Sequence, residues 1–215
     1  MKIGSVVFDC DGTLVNSLGY ALESFNYALA KIGEAPRDIE QIKRYFGAAA
    51  DRIFLNLLGD EKKALAAFEH YFDHQSALAS RMNVFPGIIE LLETLRAAKI
   101  PMAVVTGRHE RDLAAVLAPH KLANYFVTLI ADNQLPHSKP APDGVLLAIE
   151  RIGADPARSY YVGDSIVDMQ AAHGAGAKPI AALWDELAKP ELMAKENPAF
   201  MAKSPMEIWR YLGSQ

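Results

Sequence analysis

Residues 3–15 read Ile3-Gly4-Ser5-Val6-Val7-Phe8-Asp9-Cys10-Asp11-Gly12-Thr13-Leu14-Val15. The unbroken apolar run Val6-Val7-Phe8 has the pattern of a strand buried on both faces, so a strand is expected over Ile3 to Phe8. It stops at Asp9-Cys10-Asp11-Gly12-Thr13, which is turn chemistry. A buried strand that delivers two carboxylates to its carboxyl end suits an α/β sheet, where ligands bind beyond the strand ends.

Outward from this stretch the period changes. Leu18, Leu22, Phe25, Leu29 and Ile32 share one helical face, and Gly33 closes that helix. Helix is expected to continue to about Met82, with Leu65, Phe68 and Phe72 on one face and no strand. After Phe85-Pro86-Gly87 the rhythm alternates. A helix carrying Ile88, Leu91, Leu92 and Leu95 precedes a strand over Pro101 to Val105. A helix near Arg111 to Leu117, a strand near Tyr125 to Ile130, and a helix from Pro142 to Ile152 follow. A strand over Ser159 to Val162, a further helix, a last strand over Lys178 to Leu183 and a helix begun at Ser204-Pro205 complete the pattern. Such alternation predicts a Rossmann-like parallel α/β core. The predicted organisation is a core of residues 1–15 and 84–215, interrupted by an inserted all-helical cap domain, 16–83.

Composition narrows the function. The 215 residues are 51% hydrophobic and 22% charged, which is globular, and the net charge of −4 gives no support for a nucleic-acid surface. Cys10 is the single cysteine, which excludes an intrachain disulfide and a cysteine-based zinc site. No window approaches a membrane span, and Met1 to Phe8 lacks the features of a signal peptide. A soluble, cytoplasmic protein without a membrane partner is expected; the oligomeric state is not encoded legibly.

The expected strand ends carry Asp9 and Asp11, then Thr106 and Gly107, then Gly163, Asp164 and Asp168, while Lys139 lies in the loop after the third strand. Four carboxylates cannot crowd together without cations. Oxygen donors of this kind suit a hard divalent ion such as Mg2+, and Lys139, Thr106 and the Gly107 and Gly12 amides can donate to phosphate oxygens. Aspartate can itself accept a phosphoryl group, so the set meets the demands of phosphoryl transfer. Singly, each element has a plainer reading: Asp9 and Asp11 form turns, Thr106-Gly107 ends a strand, Lys139 is solvated, and Asp164 and Asp168 sit in a helix's first turn. A calcium loop starting at Asp9 fails, because Leu14 stands where glycine and Tyr20 where glutamate is required. Cys10 is expected to pack. The six histidines show no metal spacing.

Taken in order, Asp9-Cys10-Asp11-Gly12-Thr13-Leu14-Val15, Thr106-Gly107, Lys139-Pro140 and Gly163-Asp164-Ser165-Ile166-Val167-Asp168 resemble the four motifs of the haloacid dehalogenase superfamily, in its phosphatase branch. The resemblance spans nearly the whole chain and includes a helical cap between motifs one and two. It implies that Asp9 is the nucleophile and Asp11 the general acid and base. Asp9, the Asp11 backbone carbonyl and Asp164 would hold Mg2+, while Gly12, Thr106, Gly107 and Lys139 would hold phosphate. Asp168 would act through water or by orienting Lys139. Asn16, where related phosphatases often carry aspartate, Phe46, Gly47 and Arg52 of the cap, and Arg108 beside motif two are candidate specificity residues.

The expectation is therefore a Mg2+-dependent hydrolase of a small phosphomonoester acting through an aspartyl-phosphate, with phosphoglycolate leading and pyrophosphate behind. A sugar-phosphate mutase of the same family is disfavoured because Ser17 to Glu23 contains no histidine. A phospho-receiver module lacks a cap and places its acceptor on a middle strand. A binding module with dead chemistry would not need both Asp9 and Asp11.

Overall fold

The computed structural model describes residues 3–43 and 47–215. Among these, six strands form one parallel sheet in the order β5-β4-β1-β6-β7-β8. The first strand, β1 (Ser5–Phe8), is central and fully buried. Val6 and Phe8 join the cluster on one face and Val7 the cluster on the other, the alternation a strand imposes. Because both faces are covered, Val6, Val7 and Phe8 are all apolar, and the one polar residue of the strand, Ser5, donates its hydroxyl to that of Ser159 at 2.8 Å.

The chain leaves the sheet through β2 (Val15–Asn16), then runs through four helices: α1 (Leu18–Lys31), α2 (Ile39–Lys43), α3 (Ala50–Leu58) and α4 (Glu61–Leu78). Asp60 begins α4 by accepting from the amides of Lys62 and Lys63 at 2.9 and 3.0 Å, donors with no partner inside the helix. These helices enclose their own core, in which Phe25, Phe54 and Tyr71 meet ring to ring. The chain returns through β3 (Asn83–Val84), which pairs antiparallel with β2. This ribbon flanks the helical stretch and was not among the expected elements: two-residue strands are too short to show a period.

The sheet is then completed in turn. Helix α5 (Ile88–Ala97) leads to β4 (Met102–Thr106), α6 (Glu110–Leu117) to β5 (Thr128–Ala131), and α7 (Asp143–Ile152) to β6 (Ser159–Gly163). Helix α8 (Ile166–Gly174) leads to β7 (Lys178–Ala182), α9 (Pro190–Lys195) to β8 (Phe200–Ala202), and α10 (Pro205–Gly213) ends the chain. The strand expected to be last is thus followed by another, a three-residue edge strand beside β7. Residues of α5, α6 and α10 pack on one face of the sheet, those of α7 and α8 on the other. Cys10 is fully buried in the first of these clusters, with its thiol pushed well above the usual range by burial. Among the described residues no helix is long and apolar enough to cross a membrane.

Candidate active site

A parallel sheet opens all its strand carboxyl ends on one rim. Just past β1, the Asp9 amide still donates to Val162 of β6 at 2.8 Å, so the carboxylate is held on backbone that continues the strand. Lys139 crosses to meet it. Its Nζ donates to Asp9 at 2.9 Å and to Asp168 at 2.6 Å, with the Tyr161 hydroxyl at 3.3 Å. The second Asp168 oxygen accepts from the Ser165 amide at 3.0 Å and from the Ser165 hydroxyl, which starts α8. Both oxygens of Asp168 are therefore occupied. Asp164 accepts from the Thr13 hydroxyl at 3.1 Å and keeps its other oxygen.

Charge at this rim is out of balance. Asp9, Asp164 and Asp168 each offer an oxygen within 4.8 Å of one another, with one ammonium among them. Burial pushes Asp9 up to about 7 despite the lowering influence of Lys139. Asp164 is also raised, first by burial and then by Asp168 and Asp9. Burial alone would lower Lys139, but Asp168 and Asp9 more than offset it, and its ammonium stays well above the usual lysine range. Buried carboxylates that resist ionisation for want of positive charge are the donor set a hard divalent cation fits. Gly12 has to be glycine for two reasons: its φ is +71°, and a Cβ there would stand 2.4 Å from an Asp164 oxygen.

Asp11 faces the other way. Its carboxylate accepts from Arg108 Nε at 3.0 and 2.8 Å, from Arg108 Nη2 at 2.6 Å, and from the Ser17 hydroxyl. Arg108 is buried, and its Nη1 donates to Gln75 of α4 at 3.2 Å, so it ties the sheet rim to the helical insertion. Between them lies a cavity of about 110 Å³. Asp9, Asp11, Gly107, Lys139 and Asp164 line its sheet side; Leu18, Ala21, Phe25, Ile53 and Tyr71 line its helical side.

The helices are seated by direct backbone approach. A Cβ on Gly107 would lie 3.0 Å from the Gly47 carbonyl carbon, so the two glycine backbones pack against each other. Asp132, 1% exposed, accepts from the Ala49 amide at 2.9 Å and from the Ser138 hydroxyl at 3.1 Å. Arg52 donates to that same hydroxyl at 2.8 Å and to the Leu135 carbonyl at 3.0 Å.

Residues 6–182, most of the chain, match the model of the haloacid dehalogenase-like hydrolase family. The chain belongs to this family. Phosphoglycolate phosphatase 1 of Pseudomonas aeruginosa is 33% identical over 184 residues, covering 80% of this chain and 66% of the relative. This haloacid dehalogenase-like hydrolase thus spans just under two thirds of that relative's length. The phosphoglycolate phosphatase of Thiobacillus denitrificans is 30% identical, covering 82% of this chain and 81% of the relative. In fold, the crystal structure of a hydrolase from Pseudomonas syringae superposes with a TM-score of 0.86 at 24% identity, covering 98% of both chains.

In this family member the residues singled out in the sequence fall into three groups. Asp9, Asp11, Gly47, Gly107, Arg108, Lys139 and Asp164 line the cavity. Gly12, Thr106 and Asp168 stand behind it, Thr106 accepting from the Arg108 amide at 3.2 Å. Asn16, in β2 opposite Asn83, and Arg52 do not line it; Phe46 lies outside the described residues. Sequence reasoning missed Ser17, Tyr71, Gln75, Asp112 and Asp132. Of these only Asp132 follows a strand end closely enough to have been flagged by position. The others sit in helices or at a cap, where their residue types are ordinary.

Proposed function

We propose that this chain is a Mg2+-dependent phosphomonoester hydrolase in which Asp9 is the nucleophile. The observation that carries the reading is Lys139, whose ammonium bridges Asp9 and Asp168 with Asp164 alongside. A buried nucleophilic carboxylate needs such a cation to stay ionised and aimed. Asp9 attacks phosphorus, an Asp9 oxygen–phosphorus bond forms and the bond to the ester oxygen breaks. Asp11, protonated and turned out of the pairing with Arg108 seen here, gives its proton to that leaving oxygen. Asp11 then takes a proton from water, which attacks the aspartyl-phosphate and releases inorganic phosphate with Asp9 regenerated. Lys139 and the backbone of Gly107 hold the phosphoryl oxygens, and Asp168, locked by Ser165, keeps Lys139 in place.

Asp9 and Asp164, with the Asp11 backbone carbonyl, are the residues to hold Mg2+, which when bound supplies charge neutralisation at the transferring phosphoryl group. Residues 16–83 act as the cap domain and 1–15 with 84–215 as the catalytic core, a division supported by the separate apolar cluster of the helices. The cap shields the site from water. The substrate class is a phosphomonoester of a small metabolite, and phosphoglycolate is the candidate that the relatives' names supply.

The test is phosphate release from a panel of phosphorylated metabolites with Mg2+, together with mass spectrometry of the acid-quenched Asp11→Asn protein. A phosphoryl group on Asp9 is expected. Turnover unchanged in Asp9→Asn would overturn the mechanism.

A further inference from the structure

Arg108 is a buried cation whose partner the mechanism takes away. Its side chain is 5% exposed, and the residue lines the cavity with Asp11. The guanidinium lies side-on to the Asp11 carboxylate. Nε donates to both oxygens and Nη2 to one of them, the planar pairing that arginine makes with a carboxylate. A guanidinium carries an N–H on Nε and two on each terminal nitrogen. Asp11 takes the Nε–H and one on Nη2, and Gln75 takes one on Nη1. One N–H on each terminal nitrogen is therefore left without an acceptor among the described residues. In the hydrolase reading Asp11 turns to the ester oxygen, and it cannot hold its place on Arg108 at the same time. Arg108 is kept behind by the bond to Gln75 of α4.

A guanidinium cannot shed its charge, and a buried charge stripped of its partner is strongly unfavourable. Asp11 is thus free to serve the ester only if another anion takes the position it vacates. We infer that this anion is a carboxylate of the substrate itself, which makes Arg108 a specificity-determining residue. Arg108 exchanges Asp11 for the ligand, so that gripping the ligand's carboxylate and releasing the acid are one event. The substrate class is the phosphate esters of short hydroxy acids. The carboxylate has to lie close to the ester oxygen, because a single side-chain rotation carries Asp11 between Arg108 and that oxygen. Neutral esters such as ethyl phosphate bring no anion and leave Asp11 where it is. The inference rests on the hydrolase reading for the position of the phosphate and for the part played by Asp11. Asp112 is another carboxylate whose charge reaches Arg108, but its buried Oδ1 accepts no hydrogen bond. Were Asp112 to take the vacated place instead, an ester without a carboxylate would serve as well.

Three esters of similar length isolate the carboxylate: phosphoglycolate, 2-hydroxyethyl phosphate and ethyl phosphate. With the full chain and Mg2+, kcat/KM for phosphoglycolate is expected to exceed that for either neutral ester about tenfold or more, the usual scale of hydrogen bonds to a charged group. Part of the preference should appear in kcat, since a neutral ester leaves the acid paired even at saturation. Arg108→Lys, which keeps the charge but not the fork, and Arg108→Met should each reduce the ratio of phosphoglycolate to ethyl phosphate about tenfold. A general loss of activity does not move that ratio. The exchange itself is read by calorimetry with Mg2+ in the Asp9→Asn protein. There, adding Asp11→Ala removes the competing carboxylate, and the affinity of phosphoglycolate relative to ethyl phosphate should rise about tenfold. Asp11→Asn in the same background should raise it too, in a variant that keeps the side-chain volume. Equal kcat/KM for the three esters, a ratio unmoved in both Arg108 variants, or relative affinity unmoved in both Asp11 variants would overturn the inference. If no ester, nor p-nitrophenyl phosphate, is hydrolysed, the hydrolase reading fails on its own. The binding comparison then decides: a rise in relative affinity supports the exchange at Arg108, and no rise, or no binding, refutes it.

Discussion

Replacing Lys139 with Met removes one ammonium and keeps most of the side-chain volume. In the native protein that ammonium, 6% exposed, lies 2.9 Å from Asp9 and 2.6 Å from Asp168, themselves 8% and 0% exposed. Its loss leaves Asp9, Asp164 and Asp168 within 4.8 Å of one another with no cation bonded to them. Removing one partner of a buried ion pair costs about 3–5 kcal/mol, because the remaining charge is stranded away from water. For a chain of this length each kcal/mol moves Tm by about 2–4 °C, so a fall of about 6–20 °C is expected. The pH dependence has a definite sign. Lys139 is held above its ordinary value, so its contribution is fully present at neutral pH and would be lost only above the lysine range. In the Met variant the deficit belongs to ionised carboxylates whose folded-state values are already raised, Asp9 to about 7. Protonating them relieves it, so the gap between the two proteins should narrow as pH falls from 8 to 5. The assay is urea unfolding followed by far-UV circular dichroism, in chelator, across that range. Adding Mg2+ should return part of the loss through binding to the native state. A difference under about 1 kcal/mol at pH 8, or one that grows on acidification, would refute the claim that Lys139 balances this cluster.

Other expectations follow from the same geometry. Asp11→Asn should slow turnover about 10²- to 10⁴-fold, the usual worth of a general acid and base, while Asp9→Asn abolishes it; steady-state phosphate release measures both. Chelation should stop turnover and Mg2+ restore it, with Ca2+ a poor substitute because its looser coordination misplaces the in-line geometry; full activity in excess chelator would sink the metal assignment. Arg52→Ala should raise KM for every ester by a similar factor, since Arg52 reaches the Ser138 and Leu135 side of the core and not the cavity. A loss confined to one ester would return Arg52 to substrate contact. Asp112, raised from 3.8 to about 6, makes the native state bind more protons than the unfolded one, so it lowers stability progressively as pH rises from about 4 to 6. Asp112→Asn should remove that slope and stabilise the protein above pH 6 by up to about 3 kcal/mol, measured by chemical unfolding at pH 4, 6 and 8.

How much of this was legible in the sequence depends on the reach of each interaction. The sheet was readable because buried parallel strands must be continuously apolar, and Val6-Val7-Phe8, Ala103-Val104-Val105 and Tyr160-Tyr161-Val162 are. The rim residues followed, since strand order puts every carboxyl end on one side. What escaped was short or tertiary. The β2–β3 ribbon and β8 have two or three residues each, below the length at which alternation can be recognised. Asp112 precedes Leu113, Val116 and Leu117 in a manner typical of any amphipathic helix start, and only the cap above it turns a solvated acid into a buried one. Gln75, in α4, is likewise an ordinary helix residue until Arg108 reaches it across the cavity.

Arg108 shows why residue type alone does not settle role. Beside the second motif its sequence reading was a cation offered to substrate, yet its guanidinium is engaged by Asp11 and Gln75. That engagement divides the site. The sheet side is a closed network in which Asp9, Lys139, Tyr161, Asp168 and Ser165 are linked by hydrogen bonds, on backbone at the end of β1, in β6 and at the start of α8, with Lys139 reaching in from the loop before α7. Groups held this way tolerate little displacement, which suits chemistry common to all phosphate esters. The cap side is different: apolar side chains from α1, α3 and α4, facing an Arg108 that is bonded to Asp11 and Gln75. The cap side, with Arg108 beside it, is then the surface on which ligands that share a phosphoryl group meet different surroundings.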